Sequence, residues 1–395
     1  MHSMYHDRMI RRNLAETLKR IAGFYPVATV TGPRQSGKTT LCRATFPDLR
    51  YVSFDELDTR EYASTDPRGF LSEYEQGTIL DEIQNVPELL NYVRTEIDDE
   101  PERKGLWFLT GSQEATLMKG VSESMAGRAA VFQLLPFSHA EDDRVSLYRG
   151  GYPEVIARPS TADIWYRSYI QTYLERDVRS VLAVKDLATF RRFLALLGTR
   201  IGQVLNRSAL AGPLGVSVPT ISEWLSVLEV TAQIILVPPF YENFGKRIIK
   251  SPKLYFADSG LAAHLLGIET RAALDRSPFL GPLFEGLVAA EIVKQQVHTG
   301  RPRALYHFRD QAGLETDFIV PLGEDRLALI EAKATRTPRP EMAGSMLRLA
   351  RAIKGHRVAS WLVHQPSRRG TTAPDLAEGV RATPWTEISP GILPT

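Results

Sequence analysis

A chain of 395 residues with 43% hydrophobic and 24% charged residues and a formal net charge of +2 has the make-up of a water-soluble globular protein, long enough for two or three cores. No apolar run approaches the roughly 20 residues that cross a bilayer, and Met1-His2-Ser3-Met4-Tyr5-His6-Asp7-Arg8 has no apolar signal core, so no membrane partner is expected. The single cysteine, Cys42, rules out an internal disulfide and fits a reducing, cytoplasmic setting in which it is a small packed residue.

In chain order, Pro26-Val27-Ala28-Thr29-Val30-Thr31 reads as a buried strand. It runs into Gly32-Pro33-Arg34-Gln35-Ser36-Gly37-Lys38-Thr39, which matches the phosphate-binding pattern G-x-x-x-x-G-K-[ST] at every required position. The glycines let backbone N–H groups curl round phosphates, Lys38 reaches the outer phosphates, and Thr39 offers its hydroxyl to Mg2+. Thr40-Leu41-Cys42-Arg43-Ala44-Thr45-Phe46 continues as a helix whose N-terminus faces the anion. Gly32 to Thr40 are thus the expected ATP-binding residues.

Thr78-Ile79-Leu80-Asp81-Glu82-Ile83-Gln84 is an apolar run ending in two carboxylates. Asp81, at the carboxyl end of a core strand, is expected to hold the magnesium shell and Glu82 to polarise the attacking water. Leu106-Trp107-Phe108-Leu109-Thr110-Gly111-Ser112 is a further strand whose end carries hydroxyls, with Ser112, or Thr110 beside it, in the place of a γ-phosphate sensor; plain turn chemistry at Gly111-Ser112 is the rival. This order argues for a parallel sheet with an extra strand between loop strand and acid strand.

Residues 208–229 read as helix, glycine turn and helix, with Ile221, Trp224, Leu225 and Leu228 on one face of the second. Two strands follow, Ile234-Ile235-Leu236-Val237 and Lys253-Leu254-Tyr255-Phe256, so the region reads as a winged helix. Its basic tip, Lys246, Arg247 and Lys250, suits DNA phosphates, while the second helix lacks Arg and Lys and carries Glu223, which suits protein contacts as well. Charge is uneven in the same sense: residues 1–150 hold 18 cations and 23 anions, and residues 160–260 hold 12 and 8. In the last third, Glu285 falls in a helix expected to be amphipathic over residues 282–297, Asp317 in a strand, and Glu331-Ala332-Lys333 at the end of the next. That sequence of acids and E-x-K resembles the restriction-endonuclease core, in which the acids hold magnesium and the lysine steadies the nucleophilic water.

The loop with its Gly-Pro-Arg-Gln lead-in, Leu-Asp-Glu-Ile-Gln, Leu-Thr-Gly-Ser, Ser124-Met125-Ala126-Gly127-Arg128 and Leu135-Pro136-Phe137-Ser138 resemble the AAA-superfamily ATPases joined to a DUF4143 domain. Gly150-Gly151-Tyr152-Pro153, Lys250-Ser251-Pro252-Lys253-Leu254-Tyr255-Phe256 and Gly281-Pro282-Leu283-Phe284-Glu285 are similar to later motifs of that family. The resemblance implies that Arg128 is a finger completing a neighbouring copy's active site, and so a homo-oligomer of hexameric type; pairing of Arg128 with a nearby acid is the structural alternative. The expected fold class is α/β: a P-loop domain over residues 1–140, a helical and winged-helix region over 141–275, and a restriction-endonuclease-like domain over 276–395. The expected function is an ATP-hydrolysing motor acting on DNA, and the alternative is an ATP-switched scaffold whose later domains contact proteins.

Overall fold

The computed structural model describes residues 10–111, 125–174, 186–240, 250–367 and 375–392. The chain divides into two compact units, one of Met1–Phe137 with Val230–Ala232 and Val297–Arg301, the other of Ser138–Glu229, Gln233–Gln296 and Pro302–Thr395.

The first unit is built on a five-stranded sheet of β1 (Val27–Thr31), β2 (Arg50–Ser53), β3 (Thr78–Asp81), β4 (Trp107–Thr110) and β5 (Ala129–Gln133), in the order β2-β3-β4-β1-β5. Every pairing is parallel. β4 therefore lies between the loop strand β1 and the acid strand β3, where the sequence calls for an extra strand. Strand residues alternate between two cores because side chains alternate across a pleat. Val27, Leu80, Trp107 and Leu109 pack on one face with Phe54, Phe70 and Leu90, while Ala28, Val30, Ile79 and Phe108 pack on the other with Leu18, Leu41 and Cys42. β1 is buried at all five positions, as expected of a strand covered on both faces. Cys42 is a packed residue, its thiol pushed up to about 12, first by burial and then by the Asp81 charge.

Within the second unit, helices Leu187–Gly198, Arg207–Leu214 and Val218–Val230 precede an antiparallel ribbon of β6 (Ile234–Val237) and β7 (Lys253–Phe256). Gly215, at φ 67°, closes the turn between the second and third helices. Trp224 of the third packs against Phe190 and Phe193 of the first, with ring centres 5.4 and 5.1 Å apart. Three helices and a two-stranded ribbon make the winged-helix arrangement.

The last part carries a mixed six-stranded sheet, β8 (Tyr306–Arg309), β9 (Glu315–Gly323), β10 (Arg326–Lys333), β11 (Arg357–His364), β12 (Asp375–Ala377) and β13 (Val380–Pro384), ordered β12-β13-β11-β10-β9-β8. β8, β9 and β10 form an antiparallel meander, while β10, β11 and β13 run parallel. The expectation of an amphipathic helix over 282–297 fails. Helix Leu280–His298 is buried at every position from Gly286 to His298. Its polar residues find partners in the interior: Glu291 pairs with Lys294 at 3.1 Å and accepts the His139 N–H at 2.8 Å, and Gln296 bonds both the N–H and carbonyl of Ala304 at 3.0 Å.

The stretch that follows β7 is locked by Asp258. This carboxylate, 1% exposed, caps helix Ser259–Leu265 through the Leu261 N–H at 2.9 Å and also accepts the Gly151 N–H at 2.7 Å and the Tyr166 hydroxyl at 2.8 Å. Gly150, at φ 70°, is required because a Cβ there would lie 2.1 Å from the Asp258 carboxylate. Asp258→Ala strands two buried backbone donors, while the Tyr166 hydroxyl keeps the Arg149 carbonyl at 2.7 Å, and is expected to destabilise the second unit by on the order of 3 kcal/mol. The check is urea unfolding, in which Asp258→Asn, retaining one acceptor oxygen, loses less.

Candidate functional site

The phosphate loop is shaped by backbone that only glycine tolerates. Gly32 sits at φ 143°, and a Cβ there would lie 2.2 Å from the Leu134 carbonyl oxygen. Gly37, at φ 95°, opens helix Lys38–Thr45, whose first N–H groups point into the loop. Lys38 is buried, and its ammonium donates to the Gly32 and Pro33 carbonyls at 3.1 and 3.0 Å. The Ser36 hydroxyl is buried with no hydrogen-bond partner among the described residues, an unfilled donor that suits a phosphate oxygen.

Asp81 is the polar centre of this site. At the end of β3 and 6% exposed, it accepts the Thr39 hydroxyl at 3.0 and 3.1 Å and the Tyr51 hydroxyl at 2.8 Å, and it also accepts the Thr110 hydroxyl. The three donors come from the loop helix, β2 and β4. A carboxylate and a threonine hydroxyl side by side are hard oxygen donors suited to Mg2+. Thr110, the second sensor candidate, thus bonds Asp81; Ser112 lies outside the described residues. Glu82 follows with φ 55° and ψ 42°, a left-handed backbone that a non-glycine residue adopts only under surrounding constraint, and it is hydrogen-bonded by Gln84.

Two contributors carry no motif. Tyr51 is one: burial and then its bond to Asp81 push its phenol up to about 12, so it remains a donor at physiological pH. Its place at the start of a strand beside the acid strand was the available signal. Arg12 is the other, 5% exposed, donating to the Ser36 carbonyl at 3.0 Å and the Leu135 carbonyl at 2.6 Å, with its guanidinium 4.3 Å from the centre of the Phe137 ring. It braces the loop from behind, and only tertiary structure reveals it.

Arg128 lies elsewhere. It precedes β5, whose first residue pairs with Val27 at the start of β1, so it sits at the sheet edge opposite the phosphate loop. Five strand residues, about 16 Å, separate the two edges. There it forms a two-pronged pair with Asp98, at 2.6 and 3.0 Å, with both side chains substantially exposed.

In the second unit the structure brings together Glu285, Asp317, Glu331 and Lys333 and adds two residues the sequence reading left aside, Lys253 and Tyr255. The Lys253 ammonium, on a side chain 5% exposed, lies 3.0 Å from Glu285 Oε1 and 3.4 Å from Asp317 Oδ1. Tyr255 donates to the same Glu285 oxygen. Asp317 Oδ2 accepts the Ala332 N–H at 2.9 Å, and Glu331 pairs with Lys333 at 2.7 Å and accepts the Thr316 hydroxyl at 3.4 Å. Burial, followed by the Asp317 charge, raises the carboxyls of both Glu285 and Glu331 above the usual range. The Glu285 and Asp317 charges hold Lys253 protonated against its burial. A lysine and a tyrosine two apart on one short buried strand were a legible sign, since they share a face. Lys246 and Arg247 lie outside the described residues, and Lys250 is exposed ahead of β7.

Three family models cover the chain: an AAA domain over residues 25–142, the domain of unknown function DUF8612 over 141–272 and the domain of unknown function DUF4143 over 280–388. Uncharacterized proteins of Mycobacterium tuberculosis (Rv2008c) and Mycobacterium bovis (Mb2031c) are each 34% identical over 338 residues, 83% of this chain and 75% of the relative. Among solved structures, the Walker-type ATPase PABY2304 of Pyrococcus abyssi matches 67% of this chain and 97% of its own at 17% identity, with a TM-score of 0.45. AMPPCP-bound DnaA of Aquifex aeolicus matches 55% and 84% at 15% identity, with a TM-score of 0.29. With a P-loop, an acid-ended strand beside it and both domain models matched along one chain, this protein belongs to the AAA-type P-loop ATPases that carry a C-terminal DUF4143 domain.

Proposed function

We propose that this protein is an oligomeric motor that hydrolyses ATP with magnesium and acts on DNA, with residues 1–140 as motor, 141–275 as a winged-helix region and 276–395 as a nuclease-like module, working in the cytoplasm. The observation that carries the ATPase half is the hydroxyl cluster around Asp81 next to the constrained Glu82. Lys38 and the N–H groups at the start of helix Lys38–Thr45 hold the β- and γ-phosphates. Thr39 and the Asp81 shell would hold Mg2+, which when bound would supply positive charge to offset that developing on the transferred phosphoryl group. Glu82 takes the proton of the attacking water as its oxygen bonds to the γ-phosphorus and the bond to the bridging oxygen breaks, releasing ADP and phosphate.

Arg128 supplies the remaining positive charge from a neighbouring copy, a role supported by its position far from its own loop. The winged-helix arrangement and its basic tip support DNA as the track. A second reading, a nucleotide-switched scaffold that contacts proteins, draws on the third helix: its start, Ser217, Val218, Pro219 and Glu223, is exposed and carries no cation.

Glu82→Gln is expected to retain ATP binding while turnover falls about 100-fold or more, and Lys38→Ala to lose most binding; nucleotide titration beside a phosphate-release assay reads both. Arg128 is tested against its partner. A finger predicts that Asp98→Ala leaves turnover intact while Arg128→Ala loses it, and that Arg128→Ala mixed with Lys38→Ala recovers activity; equal losses in Asp98→Ala and Arg128→Ala mark a structural pair. DNA should accelerate ATP turnover, and Lys246→Glu with Arg247→Glu should weaken DNA binding and flatten its salt dependence, since each phosphate contact releases counterions. Turnover indifferent to duplex, single-stranded and branched DNA favours the scaffold.

A further inference from the structure

A metal-dependent nuclease core needs carboxylate oxygens that can turn to a divalent ion. In this chain those oxygens already have donors. Both oxygens of Asp317 and of Glu331, and Oε1 of Glu285, are engaged by Lys253, Tyr255, Lys333, Thr316 or the Ala332 N–H. The decisive donor is Lys253, whose ammonium bridges Glu285 of helix Leu280–His298 and Asp317 of β9.

Lys253 is not a surface arm that has fallen into the cluster. It stands on β7, where its backbone is held by Val237 of β6 on one side and by a bridge to Val204 on the other. The next residue is fixed in the same way: the Leu254 N–H donates to the Gln203 carbonyl at 3.1 Å, and its own carbonyl accepts the Gly202 N–H at 2.8 Å. With the backbone pinned and the side chain 5% exposed, the ammonium has no route to water, and its nearest carboxylates neutralise it where it is. A divalent ion between Glu285 and Asp317 would meet this ammonium at contact distance, a repulsion that low-dielectric surroundings strengthen.

We propose that Lys253 is the resident cation of the carboxylate cluster, taking the place of a divalent metal, so that this module does not cut nucleic acid through this site, and that removing the one ammonium turns Glu285, Asp317 and Glu331 into a divalent-cation site. The inference rests on reading the module as nuclease-like, and it stands or falls independently of the motor. The chemistry asked of the site is then that of a salt-bridged clasp joining β7, helix Leu280–His298 and β9, three elements tied by one ammonium and one phenol.

The probe is Mn2+ in the absence of nucleotide, read by electron paramagnetic resonance of the full chain carrying Asp81→Asn to silence metal uptake at the phosphate loop. This protein is expected to bind no more Mn2+ than the same chain with Asp317→Asn added. Lys253→Met in the same background is expected to gain one Mn2+ per chain, at least about tenfold tighter than any background binding, and to lose it when Asp317→Asn is added. Asp317-dependent Mn2+ uptake with Lys253 in place overturns the proposal, and this arm needs no Lys253 variant to fold. A folded Lys253→Met protein, verified by its thermal melt, that gains no Mn2+ also overturns it. Plasmid nicking with Mn2+ that Asp317→Asn removes, in protein retaining Lys253, does the same. ATP turnover of Lys253→Met with Asp81 intact is read in parallel, so a failed motor reading is seen separately from a failed clasp.

Discussion

Keeping a carboxylate charged at the end of a buried strand is the constraint around which the nucleotide site is organised. Asp81 is almost out of reach of water, and an isolated charge there would be costly unless donors replace its hydration. Three hydroxyls do so, from Thr39, Tyr51 and Thr110, and each comes from a different element of the sheet and its loop. The order β2-β3-β4-β1 is what makes this possible, because it sets β2 and β4 on either side of the acid strand. Neutral donors satisfy the carboxylate without cancelling its charge, so its capacity to attract a cation survives.

The carboxylate cluster of the second unit solves the same problem by the opposite means. Asp317 and Glu285 are compensated by an ammonium and a phenol, and Glu331 by a second ammonium. Two of the donors in this cluster are ammoniums, whereas the hydroxyls described on Asp81 carry no charge. Two buried acid sites in one chain thus differ in the charge carried by their donors. Lys333, its side chain 40% accessible, is the most exposed member of the cluster.

Helix Leu280–His298 illustrates how interior partners override pattern. Glu291, Lys294, Gln295 and Gln296 look like the wet face of an amphipathic helix, yet all are buried. Burial of such residues is tolerable when their polar groups find partners, and for Glu291 and Gln296 these come from outside the helix, the His139 N–H far back in the chain and the backbone of Ala304 just beyond its end. Periodicity reports which residues dislike water; it cannot report that a polar residue has been given a substitute for it.

The sequence by itself determined those features whose chemistry is local. A glycine-bracketed loop, the strand before it, the helix after it and the acid-ended strand are dictated by backbone sterics and side-chain period within a few residues, and Gly32, Lys38, Thr39 and Asp81 stand where that reasoning puts them. The parallel sheet with its intervening strand, the three-helix and ribbon arrangement and the acids of the last sheet were legible for the same reason. Tertiary structure alone decided which distant groups meet: Arg12 behind the loop, Tyr51 on Asp81, Arg128 on Asp98 and Lys253 between Glu285 and Asp317. Each of these is a contact between charged or polar groups separated by at least thirty residues except Arg12 with Ser36, twenty-four apart. No local preference encodes such contacts; apart from the exposed Arg128–Asp98 pair, they answer the requirement that a charge carried inside must end against a partner.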